Sequence, residues 1–199
     1  MVLKIAALPL IVSGLALADP IIFTIQGTGS GTVDSTAFNN VAFTFSVATD
    51  TSLITSFTLP GPQAGFETPA VAGADISIGG IGTGTFTDDE QIFVNNTVQT
   101  VGLTDISAAG GEMDLLDGTN TAFFTYDLQS SIGPLAMSDI SALNNFLDIP
   151  TSLGSVTFTL ATGVLFTATE APVPEPATLA FATAGMLLVA VTRLLAGTG

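Results

Sequence analysis

Between residues 19 and 170 apolar and polar side chains alternate with a period of two. Val41, Phe43, Phe45 and Val47 are interleaved with Ala42, Thr44, Ser46 and Ala48, the mark of a strand with one face in a core and the other in water. Phe23 and Ile25 set against Thr24 and Gln26 predict a first strand, and Val156, Phe158 and Leu160 predict one near the end. Ala161-Thr162-Gly163 then reads as a turn, with Val164, Leu165 and Phe166 returning as the second arm of a C-terminal hairpin. Ile92, Phe93 and Val94 ahead of Asn95-Asn96 predict another hairpin, because Asn tolerates the positive φ of tight turns. Ala122 to Leu128, carrying Phe123, Phe124 and Tyr126, predicts a further strand. Only Ser138 to Leu147 has helical spacing, weakly, through Ile140, Leu143 and Leu147, and is expected to form one helical turn over an end of the fold.

Turn residues punctuate these runs at Gly27 to Gly31, Pro60-Gly61-Pro62, Gly79-Gly80, Gly110-Gly111, Asp117-Gly118, Gly133-Pro134 and Pro150. Many short strands so spaced predict an all-β domain, an antiparallel β-sandwich of jelly-roll-like character rather than a closed barrel. Gly-Thr-Gly recurs at Gly27-Thr28-Gly29 and Gly82-Thr83-Gly84, but no Lys follows and no helix opens, so turns or bulges are expected there and not phosphate loops. A domain of this size buries about two thirds of its unfolded surface, enough for a core without cross-links.

The two ends break the pattern. Residues 1–18 carry Lys4, an apolar run from Ile5 to Leu17 and the small-x-small sequence Ala16-Leu17-Ala18. This is the layout of a secretory signal peptide with cleavage after Ala18; a buried first strand or an uncleaved anchor is the competing reading. In the C-terminal segment, residues 171–199, an apolar stretch suited to a transmembrane helix over 177–195 is interrupted near its end by Arg193. A buried core helix is the alternative. Lys4 and Arg193 are the chain's only cations, and each sits where the positive-inside rule favours one.

Immediately before that stretch lies Val173-Pro174-Glu175-Pro176-Ala177-Thr178-Leu179-Ala180. Over residues 173–199 the order of motif, apolar helix and basic residue closely resembles the PEP-CTERM sorting signal of Gram-negative bacteria that make extracellular polysaccharide. It departs from that family's usual pattern in ending on one basic residue, Arg193, rather than several. The resemblance implies that exosortase, a membrane-embedded cysteine transpeptidase, recognises Pro174, Glu175 and Pro176 and removes the tail. The backbone physics agrees. Pro174 and Pro176 hold the chain extended and forbid helix before Ala177, which presents Glu175 at a helix N-terminus, where a carboxylate is favoured. A Pro-rich linker ahead of a permanent anchor is the competing reading.

Composition narrows the chemistry. The chain has 199 residues, no His, Cys or Trp, and a formal net charge of -15. Ser-His-Asp and Cys-His catalysis, thiolate zinc sites, haem or iron-sulfur ligation and disulfides are thereby excluded. Without cations the chain does not neutralise phosphates, so no nucleic-acid partner is expected. If both ends are removed, the remaining domain has no Lys or Arg, no internal ion pair can form, and its acids are expected on the surface. Paired carboxylates can hydrolyse glycosides, but with no Trp and one Tyr the usual sugar-stacking rings are scarce. No catalytic residue and no cofactor are assigned.

Asp88-Asp89-Glu90 and the Asp114/Asp117 pair supply hard oxygen ligands of the kind that suit Ca²⁺, in a spacing that fits neither an EF-hand nor a Gly-rich nonapeptide repeat. Solvated acidic loops are the plainer reading, and no metal ligand is assigned. Asn95-Asn96-Thr97 matches a glycosylation acceptor but reads as turn chemistry. The sequence is therefore expected to encode an exported, non-enzymatic protein handled by the Sec machinery, signal peptidase and exosortase. It would be anchored in the membrane during sorting and then held at the cell surface or in the extracellular matrix. A secreted binding module for carbohydrate or protein, with exopolysaccharide as a candidate ligand and Ca²⁺ as a candidate aid, is the alternative.

Overall fold

The computed structural model describes residues 20–107 and 111–171. The signal-peptide residues Lys4, Ala16 and Ala18, the motif Pro174-Glu175-Pro176, the 177–195 stretch and Arg193 lie outside the described residues. Within them the chain is all-β, with two antiparallel sheets.

The first sheet contains β1 (Pro20–Val33), β2 (Thr36–Asp50), β6 (Asp75–Ile78), β7 (Gly82–Thr85), β11 (Ile132–Ala136), β13 (Ile149–Thr151) and β14 (Gly154–Glu170). Its order is β11-β14-β1-β2-β6-β7, with β13 also on β14. The second contains β3 (Thr55–Leu59), β4 (Gln63–Glu67), β5 (Val71–Ala72), β8 (Asp89–Asn95), β9 (Thr100–Ile106), β10 (Glu112–Thr119) and β12 (Ser138–Ser141). It runs β12-β10-β9-β8-β4-β3, with β5 on β8. The first and last strands are neighbours, from Ile21 opposite Glu170 to Val33 opposite Val156. Beyond them the Ala171 N–H donates to the Pro20 carbonyl at 2.8 Å.

The alternation seen in the sequence builds the core. Phe23, Ile25, Phe43, Phe45 and Val47 are buried, while Thr24, Ser46 and their like face outward. Phe158 is the hub of an aromatic cluster, with ring centres 4.9 Å from Phe146, 5.1 Å from Phe38 and Phe43, and 5.5 Å from Phe45. Phe166 gathers Phe123 and Tyr126 at 5.5 and 6.1 Å in a second cluster. Edge-on ring pairs of this kind add to what area burial supplies.

Several local expectations are corrected. The predicted C-terminal hairpin is one continuous strand of 17 residues, β14. Gly163, at φ 58°, is a bulge in it: the pairing steps from Gln26 opposite Leu165 to Thr28 opposite Thr162. An extra residue in a left-handed conformation bends a strand without reversing it, and near this irregular stretch Leu160 ends 52% exposed. Ala122 to Leu128 is no strand. The Asn120 side chain accepts from the Ala122 N–H at 2.9 Å and caps a 3-10 turn over Thr121–Phe124, which buries Phe123 and leaves Phe124 61% exposed. Ser138 to Leu147 yields β12 and then a 3-10 turn at Leu143–Asn145. Gly27 to Gly31, Asp117-Gly118, Gly133-Pro134 and Pro150 lie inside strands and not in turns, as does Gly82-Thr83-Gly84; the bulge expected at Gly27-Thr28-Gly29 is present, since the register of β1 breaks between Gln26 and Thr28 against β14 and between Gly29 and Gly31 against β2. The β8–β9 hairpin is as expected, but its positive φ falls on Gln99, while the Asn95 side chain accepts from the N–H groups of Thr97 and Val98.

Candidate functional site

The outer face of the second sheet carries a groove of about 780 Å³. Two aromatic rings form part of its floor, and strand pairing explains why they lie there. Phe57 on β3 is opposite Gly65 on β4, and Phe93 on β8 is opposite Gly102 on β9. With no side chain on either glycine, each ring occupies the vacant space. A Cβ on Gly102 would stand 2.6 Å from Phe93 Cε1, and one on Gly65 would stand 2.9 Å from Phe57 Cζ. Glycines in strand interiors weaken sheets unless something approaches closely; here the approaching groups are these rings.

Polar side chains surround the rings and are already tied to one another. Asn95 Nδ2 donates to Gln63 Oε1 at 2.8 Å, Thr104 Oγ1 donates to Asp114 Oδ1 at 2.8 Å, and Asn145 Nδ2 donates to the Asp114 carbonyl at 2.9 Å. Carboxylates stand on both banks. Burial and the neighbouring Glu112 push Glu67 above the usual carboxylate range. Asp117 is also pushed up, by burial, although a hydrogen bond donated by the Ser141 hydroxyl opposes the shift. Asp114 and Asp117, expected to flank a loop, both lie on β10 and line this groove.

A second acidic feature lies on the opposite, inward face of the same sheet. Glu90 on β8 pairs directly with Asp105 on β9. Glu90 is 0% exposed and Asp105 4% exposed, against the expectation that all acids lie on the surface. Oε1 and Oε2 of Glu90 and Oδ1 of Asp105 are buried and accept no hydrogen bond among the described residues. Burial first, then the charges of Asp105, Asp88 and Asp89, push Glu90 up to about 9. Asp105 is raised by its own burial and by Asp88. Asp88-Asp89-Glu90 is therefore no solvated loop: Asp89 and Glu90 open β8, and the last of them points inward.

Both features leave signals in the sequence. Ile92 and Val94 are core positions of β8, and counting back by two reaches Glu90; Val101 and Leu103 are core positions of β9, and counting on by two reaches Asp105. The groove's signal is a glycine within an otherwise β-forming run, Thr100-Val101-Gly102-Leu103-Thr104, beside a strand carrying Phe93. Comparison with protein-family models, with curated proteins and with solved structures gives no match.

Proposed function

We propose that this chain is an exported, non-enzymatic surface protein. In this reading it is released from its signal peptide after Ala18, sorted by exosortase through Pro174, Glu175 and Pro176, and kept at the cell surface or in the exopolysaccharide matrix. The observation that carries the reading is the Val-Pro-Glu-Pro-Ala-Thr-Leu-Ala string with its apolar stretch and Arg193. The adjacency of Pro20 and Ala171 is consistent with it, since both processing points would then attach at one end of the sandwich. A jelly-roll-like arrangement belongs to the same reading, supported by the return of the last strand to the side of the first. Mass spectrometry of the C-terminal peptide from the native host tests it. Termination near Pro174 to Pro176 is expected, and an intact chain ending at Gly199 in the membrane fraction would refute tail removal.

The groove favours a second reading, a binding module for neutral carbohydrate. Phe57 and Phe93 offer apolar ring surface, and the surrounding amides, hydroxyls and carboxylates offer the donors and acceptors that polyols require. With no cation beside them among the described residues, the carboxylates disfavour anionic glycans. A glycan array with the wild-type chain and with Phe93→Ala tests the reading; neutral glycans retained by the former and lost by the latter are expected. Silence of the wild-type chain across the array would remove it.

A further inference from the structure

We infer that Glu90 and Asp105 form a two-carboxylate site for a divalent metal ion, Ca²⁺, inside the sandwich at the start of β8. The inference concerns the inward face of the second sheet and is independent of what the groove binds.

The argument begins with charge balance. Residues 19–170 contain no Lys, Arg or His, so no side chain of the domain can neutralise a buried carboxylate. Yet two carboxylates are buried side by side on adjacent strands, with three of their oxygens accepting no hydrogen bond among the described residues. Buried carboxylates are ordinarily paired or hydrogen-bonded, or they coordinate a metal. The first two remedies are missing among the described residues. A proton shared by the pair would balance half the charge but would leave most of the oxygen lone pairs without a partner, whereas a bound cation engages them.

The donor set selects the ion. All available ligands are hard oxygens, which suit Ca²⁺ or Mg²⁺ rather than a metal preferring nitrogen or sulfur. Ca²⁺ accepts irregular shells of six to eight oxygens, including waters and bidentate carboxylates, while Mg²⁺ demands a near-ideal octahedron and sheds water reluctantly. No three acids converge as a ligand set among the described residues, so the protein supplies two carboxylates, and the rest of the shell falls to nearby backbone carbonyls and to waters that enter with the ion. Asp88 and Asp89, whose charges reach Glu90, act as the negative rim that draws the ion in.

Calorimetric titration of the EDTA-stripped full-length chain with CaCl₂ in 0.15 M NaCl, repeated in two buffers of different ionisation enthalpy, tests the site. One saturable site per chain is expected, with proton release on binding, because the acids must ionise to ligate. At 100 times the dissociation constant, Ca²⁺ should raise Tm by about 5–10 °C. Glu90→Gln and Asp105→Asn should each weaken binding at least tenfold, while Asp114→Asn, in the groove, should leave it unchanged. Should Glu90→Gln fail to fold, Asp105→Asn carries the comparison, with circular dichroism to establish that it is folded. Absence of a saturable site, or a site kept by both variants whatever Asp114→Asn does, would overturn the inference. Weak, salt-sensitive uptake equal in all variants would do so too, by showing only diffuse attraction to the acidic surface.

Discussion

Removal of divalent ions should give the domain an unusual dependence on pH, because folding buries Glu90 where its charge has no counterpart. In the unfolded chain this carboxyl titrates near 4.5, and in the folded one it is pushed up to about 9. A group whose pKa rises on folding contributes stability that is fully present below its unfolded value and is lost as pH rises through its folded value. Between those limits the folded state holds one more proton than the unfolded state, so each pH unit costs about 1.4 kcal/mol. From pH 5 to pH 7 the loss is about 3 kcal/mol, a large share of the roughly 5–15 kcal/mol that holds a typical domain together. Asp105, Glu67 and Asp117 are raised as well and act with the same sign. Urea unfolding of the full-length chain in EDTA at pH 5, 6, 7 and 8 measures the effect. Glu90→Gln keeps the shape, removes the titration and should flatten most of the slope, as should saturating Ca²⁺ in the wild-type chain. A wild-type stability that rises from pH 5 to pH 8 in EDTA, or a slope unchanged in Glu90→Gln, would refute the reasoning.

Other perturbations address the core and the groove. Phe158→Ala removes the ring shared by Phe38, Phe43, Phe45 and Phe146 and should cost about 3–5 kcal/mol in urea unfolding. Gly31→Ala would place a Cβ 1.9 Å from the Thr157 carbonyl oxygen across the β1–β14 pairing; a loss of about 1–3 kcal/mol or more is expected, and a neutral result would mean that the two strands are not so closely apposed. Gly102→Ala would force Phe93 off the groove floor and should abolish any glycan signal that Phe93→Ala abolishes, with circular dichroism spectra close to wild type.

The fold was legible wherever one face of a strand is dry and the other wet. Phe43, Phe45 and Val47 announce β2 because each inward position is apolar and each outward one small or hydroxylated. The misreadings have physical causes. Gly163 looks like a turn because a left-handed glycine serves a bulge and a turn alike; only the partner strand, β1, distinguishes them. Phe123, Phe124 and Tyr126 look like strand residues, but the buried members are Phe123, Tyr126 and Leu128, and the Asn120 cap sets the local geometry. The buried acids were hidden by a general rule, that lone carboxylates stay in water, overriding a local one, that parity along β8 and β9 sends Glu90 and Asp105 inward. The groove is only half legible: Gly102 within a β-forming run flags it, but that Phe57 and Phe93 lie over Gly65 and Gly102 follows only from the register between different strands.

The pairing of β1 with β14 has a consequence for the timing of assembly. Synthesis delivers the chain from its N-terminal end, so β1 and β2 emerge long before the strand that lies on β1's other side. That hairpin must wait, with one long edge unpaired, until residues 154–170 arrive, and pairing between segments so distant in sequence is slow to form. The first sheet therefore closes at the end of delivery rather than during it. A holding factor, or rapid passage, would have to protect the open edge in the interval, because an unpaired strand invites association with its neighbours.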